Sequence, residues 1–207
     1  EDFLSGYDNF KVTCHPGVGL KLKGAGKQKH ALRKKAGVPL FTFIDLFAGI
    51  GGFRLAGENS RGKCVFTSEK DKYARISYYV NFGEVPFGDI TVLANAENVS
   101  KIPDHDVLCG GFPCQPFSTI GQRAGFKHET QGTLFYDVLR VISAKRPAAF
   151  LLENVKGLVS HDKGKTFETI KKSLTKEGYE LHFKILDSAD YGVPQVRKRI
   201  YIVGFDK

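Results

Sequence analysis

Phe43-Ile44-Asp45-Leu46-Phe47-Ala48-Gly49-Ile50-Gly51-Gly52-Phe53-Arg54-Leu55-Ala56 is the stretch that decides the fold. A short apolar run breaks into closely spaced glycines and resumes as a helix-like segment, so it reads as strand, glycine turn, helix. Such a turn lets a ligand approach the main chain and presents the N–H groups of a helix start. Glu69 closes the next apolar run, Cys64-Val65-Phe66-Thr67-Ser68, twenty positions after Gly49. In a doubly wound sheet that location suits a carboxylate gripping ribose hydroxyls. The glycine spacing is Gly-x-Gly-Gly and not Gly-x-Gly-x-x-Gly. A nucleoside ligand without a pyrophosphate therefore fits better than a dinucleotide. A tight turn that binds nothing accounts for the glycines alone equally well.

Outward from this turn the pattern is strand then helix, repeatedly. Strands are expected at 41–47, 63–68, 106–110, 148–153, 180–186 and 199–204, and helices near 52–58, 71–82, 134–144 and 166–177. Alternation of this kind argues an α/β fold with a parallel-rich sheet covered by helices. Residues 1–40 alternate poorly and are rich in Gly and Lys, so they read as an irregular arm with one short helix near His30 to Ala36. The gap from 111 to 133, with Gly121, Arg123, Gly125, Lys127 and His128, is too polar for core and reads as a functional lid.

Three further segments carry chemistry. In Gly110-Gly111-Phe112-Pro113-Cys114-Gln115, a cysteine follows the apolar run Val107-Leu108-Cys109 in a turn bent by Gly and Pro. Pro113 cannot continue a ladder, so Cys114 leaves the sheet at the carboxyl end of a strand, where open α/β sheets hold their ligands. In Phe150-Leu151-Leu152-Glu153-Asn154-Val155, a carboxylate terminates an apolar strand. In Gln195-Val196-Arg197-Lys198-Arg199-Ile200-Tyr201, Arg197 and Arg199 alternate onto one face of an extended segment. Read singly, each has a bland alternative: a loop cysteine, a surface glutamate, a solvated charge run.

Taken in this order, the segments resemble the DNA (cytosine-5) methyltransferases of bacterial restriction-modification systems. The glycine turn resembles that family's first S-adenosylmethionine motif, Phe112-Pro113-Cys114-Gln115 its nucleophile motif, Glu153-Asn154-Val155 its acid motif, and Gln195-x-Arg197-x-Arg199 its basic motif. Ser68-Glu69 stands where the ribose-binding acid stands, and Gly88-Asp89-Ile90 where the adenine-side segment does. Gln131-Gly132-Thr133-Leu134-Phe135 matches the end of the mobile catalytic loop. The resemblance runs from about Phe41 to Phe205. Lys70 departs from it, since many relatives carry an aromatic or apolar residue there. It implies a Rossmann-like class I methyltransferase sheet with helices on both faces, in a catalytic domain at 41–207 preceded by a basic arm at 1–40. It implies too that the target-recognition region and final motifs are absent from this sequence.

Composition is consistent with that resemblance. The 207 residues can bury one sizeable core. Thirty-one Lys and Arg against 22 Asp and Glu give a net charge of +9, and residues 21–40 contribute seven Lys or Arg with no acid. Such a segment attracts phosphate or serves as a solvated linker. Cys14, Cys64, Cys109 and Cys114 include no Cys-x-x-Cys pair, so neither a disulfide framework nor a zinc ribbon is indicated, and a reducing compartment is. No apolar run has the length of a membrane span and no secretory signal opens the chain, so a soluble cytoplasmic protein is expected.

The resemblance assigns roles. Cys114 adds as a thiolate to C6 of cytosine, and Glu153, if burial keeps it protonated, acts at N3. Arg199 lies near the cytosine O2, while Arg197 supports Glu153 or the nucleophile loop. S-adenosylmethionine is held by Phe47, Gly49, Gly51, Glu69, Asp89, Ile90 and Leu134, and no metal is needed. The partner is double-stranded DNA, from which the target base is flipped out. Two alternatives stay open: a transfer-RNA cytosine-5 methyltransferase, and a catalytic part inactive without a second polypeptide that carries the target-recognition region.

Overall fold

The computed structural model describes residues 11–15, 18–23, 38–113 and 134–207. Two strands, β1 (Lys11–His15) and β2 (Val18–Lys23), pair antiparallel within the segment expected to be an irregular arm. Val18, Leu20 and Leu22 alternate with Gly19, Lys21 and Lys23, a period of two that the surrounding lysines obscured. The short helix expected near His30 to Ala36 and the lid residues 114–133 lie outside the described residues, as does Cys114.

The remaining strands are β3 (Phe41–Leu46), β4 (Gly62–Ser68), β5 (Val107–Gly110), β6 (Ala149–Val155), β7 (Tyr179–Asp187) and β8 (Lys198–Asp206). They form one six-stranded sheet in the order β4-β3-β5-β6-β8-β7. The first four run parallel, and β8 is antiparallel to both β6 and β7. Among the described residues, four α-helices connect them: α1 (Gly52–Asn59), α2 (Lys72–Phe82), α3 (Leu134–Lys145) and α4 (Lys165–Lys176).

Alternation along β3 shows which helices cover which face. Phe43 meets α1 so closely that a Cβ on Gly57 would stand 2.5 Å from its ring, so only glycine lets the helix cross there. Ile44 and Leu46 point to the opposite face and join one cluster with Phe135, Val138 and Ile142 of α3 and with Phe167, Ile170 and Leu174 of α4. α2 belongs to the first face, because its Tyr78 hydroxyl accepts a hydrogen bond from Arg54 of α1 at 3.1 Å. The expected α/β sheet with helices on both faces is what forms.

Local chemistry fixes the helix ends. Asp71 caps α2 by accepting the Ala74 N–H at 2.7 Å, and Gly83 closes it in the left-handed conformation at φ 73°. The apolar stripe Phe167, Ile170, Leu174 keeps the i, i+3, i+7 spacing of a helix packed on one side. β6 and β8 extend beyond their expected bounds because they pair antiparallel along their lengths, with Glu153 opposite Tyr201 and Val155 opposite Arg199. Glu153 thus sits inside a strand and does not terminate one.

Candidate active site

Two neighbouring strand ends build the site. β3 ends at Leu46 and enters the glycine turn through three positive φ angles, 59° at Phe47, 55° at Gly49 and 96° at Gly51. Gly51 has a second constraint, since a Cβ there would lie 2.1 Å from the Phe82 ring. At Gly49 a Cβ would meet nothing within 4 Å, so the main chain is open to a ligand. The turn is tied to the end of β4: Ala48 N–H donates to the Ser68 carbonyl at 3.0 Å, and Gly49 N–H to Glu69 Oε2 at 2.8 Å. The other Glu69 oxygen accepts the Asp71 N–H at 2.7 Å. An ionised carboxylate offers about four lone-pair sites, so Glu69 keeps capacity for two ligand hydroxyls.

Asp89 stands beside this turn because Phe87 bridges to β4, its N–H on the Thr67 carbonyl and its carbonyl accepting the Glu69 N–H, both at 2.8 Å. One Asp89 oxygen accepts the Thr91 N–H and hydroxyl at 3.1 and 2.9 Å, and the other pairs with Lys70 Nζ at 2.7 Å. Partial burial works against its charge, but the Lys70 and Thr91 hydrogen bonds outweigh it and hold the carboxyl below the usual carboxylate range. Ile90 is buried in the core cluster, and Leu134 opens α3. Phe47 packs against the same cluster.

The second strand end is that of β5. Gly111 N–H donates to the Leu46 carbonyl at 3.3 Å, so the chain that leads to Pro113 and Cys114 leaves the sheet beside the start of the glycine turn. A Cβ on Gly111 would stand 3.3 Å from Glu153 Oε2, which places that carboxylate under the approach to Cys114. Arg199 Nε lies 2.9 Å from Glu153 Oε1 and Arg197 Nη2 lies 3.9 Å from it. Both guanidiniums converge on one carboxylate whose side chain is 19% exposed, with Arg199 the closer.

Three residues of this neighbourhood had no assigned role in the sequence reading. Asn154, buried, donates from Nδ2 to the Phe112 carbonyl at 2.9 Å and so anchors the chain two residues before Cys114. Arg54, also buried, holds Glu58 Oε1 at 2.8 Å and Glu84 Oε1 at 3.0 Å. Its burial opposes the charge, yet the bonds to Glu84 and Tyr78 raise its pKa well above the ordinary arginine value. Asp45, wholly buried, has no hydrogen-bond partner on either oxygen. Glu58 stands four residues from Arg54, a spacing visible in sequence, whereas the other contacts join residues far apart in the chain.

Cys64 and Cys109 lie in β4 and β5, the first half-buried and the second buried, and burial pushes both thiols up to about 12, away from the thiolate form. Among the described residues no group of three or more His, Cys, Asp or Glu side chains is placed to hold a metal, and no helix is long and apolar enough to cross a membrane.

Comparison with known proteins identifies the family. Residues 41–207 match the family model of the C-5 cytosine-specific DNA methylases. The chain is 52% identical over 173 residues to the type II methyltransferase M.MspI of a Moraxella species, covering 84% of this chain and 40% of that protein. It is 57% identical over 165 residues to M.HaeII of Haemophilus aegyptius, covering 80% of this chain and 50% of that one. Among solved structures, the Dnmt2 methyltransferase of S. pombe superposes with a TM-score of 0.65 at 27% identity, over 80% of this chain and 51% of that one. The chain thus spans about half or less of the length of the relatives it matches.

Proposed function

The chain belongs to the C-5 cytosine-specific DNA methylase family, and from that premise we propose that it methylates C5 of cytosine in double-stranded DNA within a restriction-modification system, through a covalent bond between Cys114 and C6. The observation that carries this reading is the hydrogen bond from Gly111 N–H to the Leu46 carbonyl, which joins the approach to Cys114 to the start of the glycine turn. Methyl transfer needs a nucleophile and a donor side by side, and adjacent strand ends supply that proximity. Residues 41–207 form the catalytic unit in this reading, residues 1–40 a basic arm, and the cytoplasm is the compartment.

S-adenosylmethionine, the methyl donor of the family, supplies an electrophilic sulfonium methyl. The residues at the turn suit it: Glu69 has free acceptor capacity toward ribose hydroxyls, Gly49 leaves the main chain open, and Asp89 offers an acceptor on the adenine side. Phe47, Gly51, Ile90 and Leu134 complete that set. Cys114, as thiolate, adds to C6 and pushes an electron pair into the ring, which makes C5 nucleophilic. Glu153 faces N3 in this reading, where that charge accumulates, and Arg199 and Arg197 orient its carboxylate and the O2 edge of the ring. Once C5 is methylated, loss of its proton to a base returns the electron pair and expels the Cys114 thiolate. C6 is inaccessible in a stacked duplex, so the base is flipped out of the helix first.

The matched relatives are about twice as long as this chain, and target recognition by a further segment, in the same or a second polypeptide, is part of the proposal. The test uses duplex DNA with 5-fluorocytosine in many sequence contexts, with the polypeptide alone and with a polypeptide carrying the remaining half of such a relative. A denaturation-resistant adduct is expected, because fluorine is not eliminated as a proton is, and Cys114→Ser abolishes it. An undiminished adduct in that variant overturns the nucleophile. An adduct on transfer RNA but not on duplex DNA overturns the substrate, and none on either overturns the activity.

A further inference from the structure

Arg54 carries a charge into the interior, its side chain only 3% exposed, and no step of the proposed reaction uses it. Burying a guanidinium is costly unless its donors are matched, so a buried arginine calls for an explanation. Three acceptor groups match this one. Nε donates to Glu58 Oε1 at 2.8 Å, Nη1 donates to the Tyr78 hydroxyl at 3.1 Å, and Nη1 and Nη2 take the two oxygens of Glu84, the latter at 3.0 Å. The guanidinium carbon also lies 4.9 Å from the centre of the Phe82 ring and 5.7 Å from that of Tyr78, within cation–π range of both.

Apart from Glu58, these partners cluster at one place, the C-terminal end of α2 and the residue after its Gly83 cap. The same helix end touches the glycine turn. The Phe82 ring fills the space where a Cβ on Gly51 would stand, 2.1 Å away, and Asn81 Nδ2 donates to the Ile50 carbonyl at 3.3 Å. Phe82 therefore contacts the Arg54 guanidinium and the turn at once. The opposite end of α2 is tied to Glu69, whose Oε1 accepts the Asp71 N–H at 2.7 Å where Asp71 caps the helix. The turn and Glu69 are thus joined twice: directly, by Gly49 N–H on Glu69 Oε2 at 2.8 Å, and around the length of α2, with Arg54 closing the circuit.

We propose that Arg54 is a positioning residue of the methyl-donor site: by gripping the C-terminal end of α2 it holds the Phe82 ring against Gly51 and so keeps the glycine turn in register with Glu69. The proposal rests on the reading of that turn as the donor site. Arg54 acts at one remove, through Phe82 and Gly51. Methionine in its place fills much of the volume but frees Glu84, whose side chain is 56% exposed, to turn into solvent, so the helix end is unlocked without a buried charge left behind. Lysine keeps the charge but has no planar fork with which to hold Glu58, Tyr78 and Glu84 together.

The test compares Arg54→Met and Arg54→Lys with Gly204→Ala, which strains the β6–β8 pairing and leaves α1 and α2 untouched. S-adenosylhomocysteine binding by calorimetry should weaken by roughly 5- to 30-fold in Arg54→Met, within the range of coupling through packed side chains, and by less in Arg54→Lys. It should be unchanged in Gly204→Ala. Wild-type affinity in Arg54→Met, or an equal loss in Gly204→Ala, overturns the proposal. Hydrogen exchange at the Gly51 amide, which donates to the Ala48 carbonyl at 2.8 Å, reads the turn without a ligand. Exchange should be faster in Arg54→Met than in Gly204→Ala, and equal exchange also overturns the proposal. If Arg54→Met does not fold, Glu84→Gln carries the same two measurements, with a smaller loss of affinity and faster Gly51 exchange expected; neither change overturns it. Should the wild type bind no S-adenosylhomocysteine, the donor-site reading fails separately, and Gly51 exchange alone decides whether Arg54 holds the turn.

Discussion

Replacing Glu69 tests the donor site where the structure makes the largest local claim. Its two oxygens accept the Gly49 and Asp71 N–H groups at 2.8 and 2.7 Å, so one side chain holds the glycine turn to the start of α2, and the proposal gives the same carboxylate to the donor's ribose. Hydrogen bonds to a charged group contribute about 1.5–3 kcal/mol each. Glu69→Gln keeps one acceptor and turns an NH₂ group toward one of the two N–H donors, so it loses about one such bond. Glu69→Ala loses both, together with any bond to ligand hydroxyls. Loss of one charged bond to the donor corresponds to affinity weaker by roughly 10- to 150-fold, at about 1.4 kcal/mol per factor of ten. Isothermal calorimetry with S-adenosylmethionine should place Glu69→Gln at the small end of that range and Glu69→Ala at or beyond the large end. Glu153→Ala is the contrast: donor affinity stays near wild type and adduct formation on 5-fluorocytosine DNA collapses. Equal loss of donor binding in Glu69→Ala and Glu153→Ala would falsify the division between the two carboxylates.

Asn154→Ala leaves the buried Phe112 carbonyl without its donor at 2.9 Å, so urea denaturation should show a loss of about 1–3 kcal/mol, accompanied by slower adduct formation; a stable variant with normal adduct rate contradicts the anchoring role. Gly204→Ala forces a Cβ to within 2.1 Å of the Phe150 ring at the β6–β8 pairing, and a cost of about 1–3 kcal/mol is expected in the same assay, with no effect on donor affinity once folded. Asp45 has a folded pKa of about 8 against 3.8 for the free group, so its contribution to stability is fully present below about pH 4 and is lost as pH rises to about 8. The stability of Asp45→Asn relative to wild type should therefore grow across that window, by on the order of 5 kcal/mol at most, and a gap that does not change with pH contradicts the buried neutral carboxyl.

The fold was legible because the apolar runs are punctuated. Glycine follows β3 and β5, and Gly83 and Gly178 follow α2 and α4, so periodicity changes where the chain changes direction. Strand ends were less legible. Glu153 and Arg199 read as residues near strand ends, and only the antiparallel register of β6 with β8 shows that pairing continues through both. The β1–β2 pair was missed because its alternation is carried by few apolar residues among lysines.

Polar residues divided by where they stand in the runs. Glu69 and Asp89 follow apolar or turn segments at the edge of the sheet, where an acid is conspicuous. Asp45 lies within a run that reads as strand, and nothing local says whether it finds a partner or what its burial does to its charge. Asn154 belongs to the Glu-Asn-Val motif, but its donor bond spans 42 positions to Phe112 and exists only once β5 and β6 lie side by side. Arg54 shows both cases in one side chain: Glu58 is four residues away on the same helix, and Glu84 is 30 away across the fold. Sequence thus exposes Glu69 and Asp89, which stand where secondary structure stops. The groups that hold them in place are set by register between strands and by the helix that crosses them. Those supporting contacts are where substitutions should alter the site without touching the residues that would contact the donor or the base.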